Sequence, residues 1–263
     1  MITSAENPKI KHVRKLLASK KQREKTDTFV IEGVRLCEEA FSAAQRNIRL
    51  VLFDNSLSDR GKQIVNNIQN CHIDSLEVER QLFNRVSDTS HAQGILMELD
   101  IPNLAIPENP SAVLVLDQIQ DPGNLGTILR TATAMHFQAV ILTMGSADPF
   151  SPKVVRSAMG AHFRIPICFM QPNEIMDFCK ARCRPPLVIC ACDGSAKSSV
   201  WDKHLHQPIC VIIGSEAAGI SPALSLLADD DIAIPMVGTT ESLNASIAAA
   251  IIMYEVQRQR KKQ

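Results

Sequence analysis

Residues 112–132 read AVLVLDQIQDPGNLGTILRTA, and the change of texture within this stretch decides the fold. Ala112 to Leu116 is an unbroken apolar run, which is what a strand buried on both faces requires. Asp117 ends it, and Pro122–Gly123–Asn124 supply a turn. A helix is predicted from about 125 to 135, with Asn124 placed to cap it at Leu125. Working outward, the pattern recurs. QAVILT (138–143), FRIPI (163–167), PLVICA (186–191), ICVIIG (209–214) and DIAIPM (231–236) are further apolar runs, and helices are predicted at 152–159 and 242–260. Apolar strands alternating with helices predict an α/β fold with a mainly parallel sheet. Ligands of such sheets gather beyond the carboxyl ends of the strands, so the loops there carry the functional reading.

Upstream, DIPNLAIPENPS (100–111) contains Pro102, Pro107 and Pro110 among polar residues and reads as a linker. The expected organisation is therefore a domain over 1–100, a linker over 101–111 and a second domain over 112–263. The first domain alternates short elements: a basic helix over 6–25, strands at FVIE (29–32) and IRLVLFD (48–54), a helix over 33–45, and a closing strand at GILMEL (94–99).

The chain has 263 residues, 45% of them hydrophobic, so a normal core is expected and global disorder is not. Net charge is +0, which argues against nucleic-acid binding through bulk charge but leaves local charge free to act. Lys9, Lys11, Arg14, Lys15, Lys20, Lys21, Arg23 and Lys25 cluster near the start, and Arg258, Arg260, Lys261 and Lys262 close the chain. Two basic ends on a neutral chain make an anionic partner plausible. No apolar segment of signal-peptide or membrane-spanning type is seen, so a cytoplasmic protein with no membrane association is expected. The 8 cysteines include no C-x-x-C and no histidine pair at zinc-finger spacing. They are read as reduced structural thiols, with no metal site.

Three loops follow the strands of the second domain. In 117–132, Asn124 heads a helix that carries Arg130. In IIGSEAAGIS (212–221), Gly214 and Gly219 bracket a turn that contains Glu216. That spacing imitates half of a P-loop, but Ile220 and Ser221 stand where Lys and Ser/Thr would be needed, and no G-x-G-x-x-G follows any strand. NTP hydrolysis and dinucleotide binding are therefore poor readings. In IPMVGTTESLNASIAAAIIMYE (234–255), Pro235 marks a strand end and Gly238 with Thr239–Thr240 forms a loop. Ser242 or Asn244 then opens an alanine-rich helix. Taken singly, each segment is also explained as a turn and a helix cap.

Together, in this order, NLGTILRTA (124–132), IIGSEAAGIS and IPMVGTTESLNASIAAAIIMYE resemble the SpoU/TrmH family of RNA ribose methyltransferases, within the SPOUT superfamily. SPKVVRSAMGAHFRIPI (151–167) resembles the family's connecting segment, and the resemblance covers about 112–257. The first domain resembles, more weakly, the family's small L30e-like RNA-binding domain. The resemblance implies a SPOUT-type parallel sheet with a C-terminal trefoil knot, which patterning alone could never suggest because knots are so rare. It implies methyl transfer from S-adenosyl-L-methionine to a ribose 2′-hydroxyl, and a homodimer formed through the catalytic domain. Asn124, Arg130, Glu216, Ser242 and Asn244 become the catalytic candidates. Gly214, Gly219, Ile234, Met236 and Leu243 become cofactor-binding candidates, with Thr143 and Gly194 added because each follows an apolar strand.

RNA contacts are expected at Lys9, Lys11, Arg14, Lys15 and Arg35. Aromatics are scarce, at 4% with one Trp (Trp201) and one Tyr (Tyr254), so shape and phosphate contacts should outweigh base stacking. Ribosomal RNA is favoured over transfer RNA because a separate recognition domain precedes the catalytic one. The other readings are base methylation by the same fold and a non-catalytic RNA-binding protein. The second predicts damaged motif residues, and none is damaged. The proton acceptor is not identified by the sequence.

Overall fold

In the computed structural model, residues 1–238 and 242–261 are described. The chain divides into two compact units, Met1–Asn103 with Phe150–Phe163, and Leu104–Pro149 with Arg164–Gln263.

The first unit begins with two helices where the sequence reading has one: α1 (Pro8–Ala18), capped by Asn7, and α2 (Lys20–Thr26), capped by Ser19. Ser19 adopts an extended backbone and separates them. Then follow β1 (Thr28–Glu32), α3 (Val34–Ala44), β2 (Ile48–Phe53), α4 (Asp59–Asn70), β3 (Ser75–Glu77), α5 (Arg80–Val86) and β4 (Ile95–Asp100). The sheet order is β1-β4-β2-β3, with β4 antiparallel to β1 and β2. The strand expected to close the domain is thus central, and its Ile95–Leu99 stretch is buried throughout. Alternate strand residues feed opposite faces. Phe29, Ile31, Val51 and Met97 pack with α3 and α4, while Val30, Leu50, Leu52 and Leu96 pack with α1 and α5.

The second unit opens with β5 (Ala112–Leu116), α6 (Pro122–Ala134) and β6 (Ala139–Leu142). The chain then contributes α7 (Pro152–Ala158) and a 3-10 turn at Ala161–Phe163 to the first unit, where Val155 and Phe163 are buried with Phe29 and Ile31. Back in the second unit come β7 (Ile167–Phe169), α8 (Pro172–Met176), β8 (Val188–Cys192), β9 (Ile209–Ile213), α9 (Pro222–Ser225), β10 (Asp230–Ile232) and α10 (Ala245–Arg260).

The six-stranded sheet has the order β10-β8-β9-β5-β6-β7, and every pairing is parallel. β5 and β9 are adjacent and fully buried, as their unbroken apolar sequences demand. FRIPI was expected as a strand. Instead Phe163 ends the 3-10 turn and pairing begins only at Ile167, after Pro166. Proline cannot donate to a ladder, so pairing starts beyond it. Among the described residues, no helix is long and apolar enough to cross a membrane.

Candidate active site

The site is built where β5, β8 and β9 end. Asp117, the residue after β5, is 2% exposed. One carboxylate oxygen accepts from the Thr143 hydroxyl at 2.7 Å and the other from the Ser221 backbone N–H at 2.7 Å. A buried carboxylate needs such donors, and here they tie three strand-end loops together. The Gln118 N–H donates to Thr143 Oγ1 at 3.0 Å and completes the knot of bonds.

α6 is capped by Asp121, whose side chain accepts from Asn124 N–H at 2.8 Å. The expected cap was Asn124. With Pro122 at the first helical position, the helix starts three residues earlier than expected, and this frees the Asn124 side chain for a longer-range task. Asn124 Nδ2 donates to Glu216 Oε1 at 2.8 Å, and Asn244 Nδ2 donates to the same oxygen at 2.5 Å. Asn244 Nδ2 also reaches Asn124 Oδ1 at 3.0 Å, and Ala245 N–H reaches Glu216 Oε1 at 3.1 Å. Asn244 caps α10, its Oδ1 accepting from Ser246 N–H at 2.9 Å and from the Ser246 hydroxyl at 2.6 Å. One carboxylate therefore gathers the starts of two packed helices, α6 and α10.

Glu216 lies in a tight turn closed by reciprocal backbone bonds between Ser215 and Gly219. Gly219 has φ +67°, a conformation that favours glycine. A Cβ on Gly214 would lie 2.2 Å from the Gly219 carbonyl carbon. The chain folds back on itself there too closely for any side chain.

Two cavities flank this turn. The first, of about 310 Å³, is bounded by Cys192–Gly194, Ile213–Glu216, Gly219–Ile220, Ile234, Met236 and Ser242–Leu243. It collects six of the seven cofactor candidates. The seventh, Thr143, is outside it, spent on the Asp117 bonds. The second cavity, of about 300 Å³, is lined by Gln118–Asp121 and Asn124, and it shares Ser215, Glu216, Ala218 and Ala245 with the first. Neither has a lysine or arginine among its described lining residues.

Sequence reasoning missed Asp193 and Cys192 in the first cavity. The backbone N–H and then the hydroxyl of Ser195 hold the Asp193 carboxyl below its ordinary value. Burial, assisted by that charge, pushes the Cys192 thiol up to about 11. It stays protonated at neutral pH and is a poor nucleophile, a safe neighbour for an alkylating ligand. Its place as a polar residue directly after an apolar strand was the available signal for Asp193. Nothing in the sequence singled out Cys192.

Arg130 is exposed on α6 and has no hydrogen-bond or ion-pair partner among the described residues. Ser242 is exposed, and Thr239–Thr240 lie outside the described residues. Of the RNA candidates, Lys9 pairs with Asp74 and Lys11 with Glu6. Arg14, Lys15 and Arg35 are exposed; Arg14 lies within electrostatic reach of Glu6, and Lys15 and Arg35 have no acidic partner among the described residues. The basic C-terminus is largely engaged internally. Arg258 pairs with Glu255, and Arg260 donates to the carbonyls of Ser111 and Gln207. Lys262 lies outside the described residues.

The cavity suits S-adenosylmethionine in size and lining. It has apolar walls from Ile213, Ile220, Ile234 and Leu243, close-approach backbone at Gly214, and a carboxylate at Asp193 for hydroxyl or amino groups. The pattern of the SpoU rRNA Methylase family matches residues 111–254, and that of the MRM3-like substrate binding domain matches 7–97. The chain belongs to the SpoU methylase family. It is 34% identical to the 23S rRNA (guanosine(2553)-2′-O)-methyltransferase RlmP of Bacillus subtilis, over 97% of this chain and 98% of that protein. It is 30% identical to the 23S rRNA (uridine(2479)-2′-O)-methyltransferase of Streptomyces viridochromogenes, over 98% and 92% respectively. The crystal structure of the SpoU methyltransferase AviRb from Streptomyces viridochromogenes, in complex with AdoMet, superposes with TM-score 0.87 at 29% identity, over 98% of this chain and 100% of that one.

Proposed function

We propose that this enzyme methylates a ribose 2′-hydroxyl in ribosomal RNA, using S-adenosylmethionine bound in the cavity behind Gly214. The observation that carries this is the Asn124–Glu216–Asn244 cluster, whose Glu216 lines both of two cavities of similar size. A methyl donor in one and a ribose in the other would meet beside that residue. When bound, the cofactor supplies an activated methyl group on a sulfonium, so the protein has only to align the acceptor and manage its proton. Alignment alone is worth several powers of ten in rate.

In this reading Glu216 and the two asparagines position the acceptor loop. Arg130, exposed on α6 and without a partner among the described residues, holds the ribose or its phosphate by charge. Its high pKa suits a clamp better than a base. Ser242 orders the loop leading into α10. Arg14, Lys15 and Arg35 contact the RNA backbone. The reading includes a cytoplasmic location and a homodimer, the homodimer supported by the exposed face of α10 at Ile247, Ile251 and Tyr254. It also includes the family's trefoil knot, supported by the match of residues 111–254 to the SpoU family.

The test is calorimetric titration with S-adenosylmethionine, then incubation with total ribosomal RNA, nuclease digestion and mass analysis of the nucleosides. A 2′-O-methyl nucleoside is the expected product. A base-methylated nucleoside would overturn the ribose assignment, and absence of cofactor binding would overturn the methyltransferase reading for this chain.

A further inference from the structure

Gln118 has φ +54°, in the left-handed region. Glutamine has no special tolerance for it, unlike glycine, asparagine or aspartate. Nothing about the backbone bond at this position needs a side chain, since the contact that fixes the turn is the Gln118 N–H to Thr143 Oγ1. Gln118 is exposed, and its carboxamide has no hydrogen-bond partner among the described residues. Its side-chain stem lies over Gly145, where a Cβ would come 3.4 Å from Gln118 Cγ. Gln118 lines the second cavity, as does Glu216 of the shared turn. A residue kept in an unfavourable conformation in the lining of a candidate site points to use of its side chain.

The cavity's chemistry says what that side chain meets. Its polar lining is carboxamide, carboxylate and one hydroxyl residue, from Gln118, Gln120, Asn124, Asp121, Glu216 and Ser215, with no described cation. That lining repels a phosphate and suits a neutral group that both donates and accepts. A carboxamide presents one of each, side by side, which matches the edge of an unpaired nucleobase. We infer that Gln118 is a specificity-determining residue that reads the base of the nucleotide whose ribose is methylated. The inference rests on the RNA methyltransferase reading above.

The experiment uses the full-length enzyme and short transcripts spanning the nucleotide mapped on ribosomal RNA, made with each of the four bases at that position. Wild type, Gln118→Gly and Gln118→Glu are compared. The glycine variant removes the side chain and relieves the backbone, so its melting temperature should hold or rise by about 2–4 °C. Its affinity for S-adenosylmethionine should stay within twofold, because Gln118 lies outside the first cavity. Its preference for the native base, as a ratio of kcat/KM values, should fall about tenfold or more. Gln118→Glu keeps the size, loses the donor, and should depress methylation of the native base. A Gln118→Gly enzyme that discriminates among bases as well as wild type overturns the inference and leaves the activity standing. A wild type that methylates none of the transcripts overturns both.

Discussion

Arg130 and Gly214 test the site from opposite sides. Arg130 is outside the cofactor cavity and has no hydrogen-bond or ion-pair partner among the described residues. Arg130→Ala should therefore cut turnover by about 10²-fold or more, with calorimetric cofactor affinity and melting temperature nearly unchanged. Loss of cofactor binding in that variant would count against the clamp role. Gly214→Ala forces a Cβ into the Gly219 carbonyl. Overpacking of this kind costs about 1–3 kcal/mol, and here it opens the turn itself, so cofactor binding should disappear before the fold does. Thermal melting and titration on the same sample separate the two. The sequence singled out Asn124, Glu216 and Asn244 as residues with a purpose. It could not show that the two amides converge on one oxygen, because Glu216 is 92 residues from Asn124 and 28 from Asn244. It also misread Asn124 as the cap of α6, since Asp121 followed by Pro122 competes for that position and wins.

At the scale of elements, the strand-end loops depend on Asp117. Asp117→Ala strands the Thr143 hydroxyl and the Ser221 N–H, at about 1–3 kcal/mol for each unsatisfied group. Asp117→Asn should be far milder, because the Thr143 hydroxyl can turn to accept from the new amide. Urea denaturation of the two variants should rank them in that order. Asp193 adds a pH dependence. Its folded pKa is lowered, so its contribution is fully present above the unfolded carboxylate value of about 3.9 and is lost as pH falls through the folded one. Ser195→Ala should raise that folded pKa, as read by NMR titration of the Asp193 carboxyl carbon. The central strands β5 and β9 were legible because burial on both faces leaves an unbroken apolar signature. FRIPI imitates that signature, yet Pro166 and the burial of Phe163 in the first unit's core break it. The short β3 and the helices α4 and α5 carry weaker local patterns, and the sequence reading did not place them.

For the whole molecule, the linear reading of a domain, a linker and a domain misses one passage of chain. The division near Asn103 falls inside the stretch read as a linker, but Phe150–Phe163 returns to the first unit. Val155 and Phe163 cover Phe29 there, and Phe150 stacks edge-on against the same ring with centroids 5.2 Å apart. A fragment of residues 1–103 should accordingly melt well below the intact first unit and bind a hydrophobic dye. Equal stability would show that the returning segment adds nothing. The segment was legible as a helix, and its ownership was not, because contact partners more than a hundred residues away leave no mark on local periodicity.

That returning segment also limits how such enzymes can be recombined. If a recognition module were exchanged between relatives to redirect methylation, a single crossover at the proline-rich stretch would carry the sheet and helices but leave behind the piece that closes their core. A viable chimaera needs two inherited stretches from the same parent, 1–103 and 150–163. Ancestral shuffling of the front half alone would have been penalised for the same reason, so the two halves of this chain are expected to share one history.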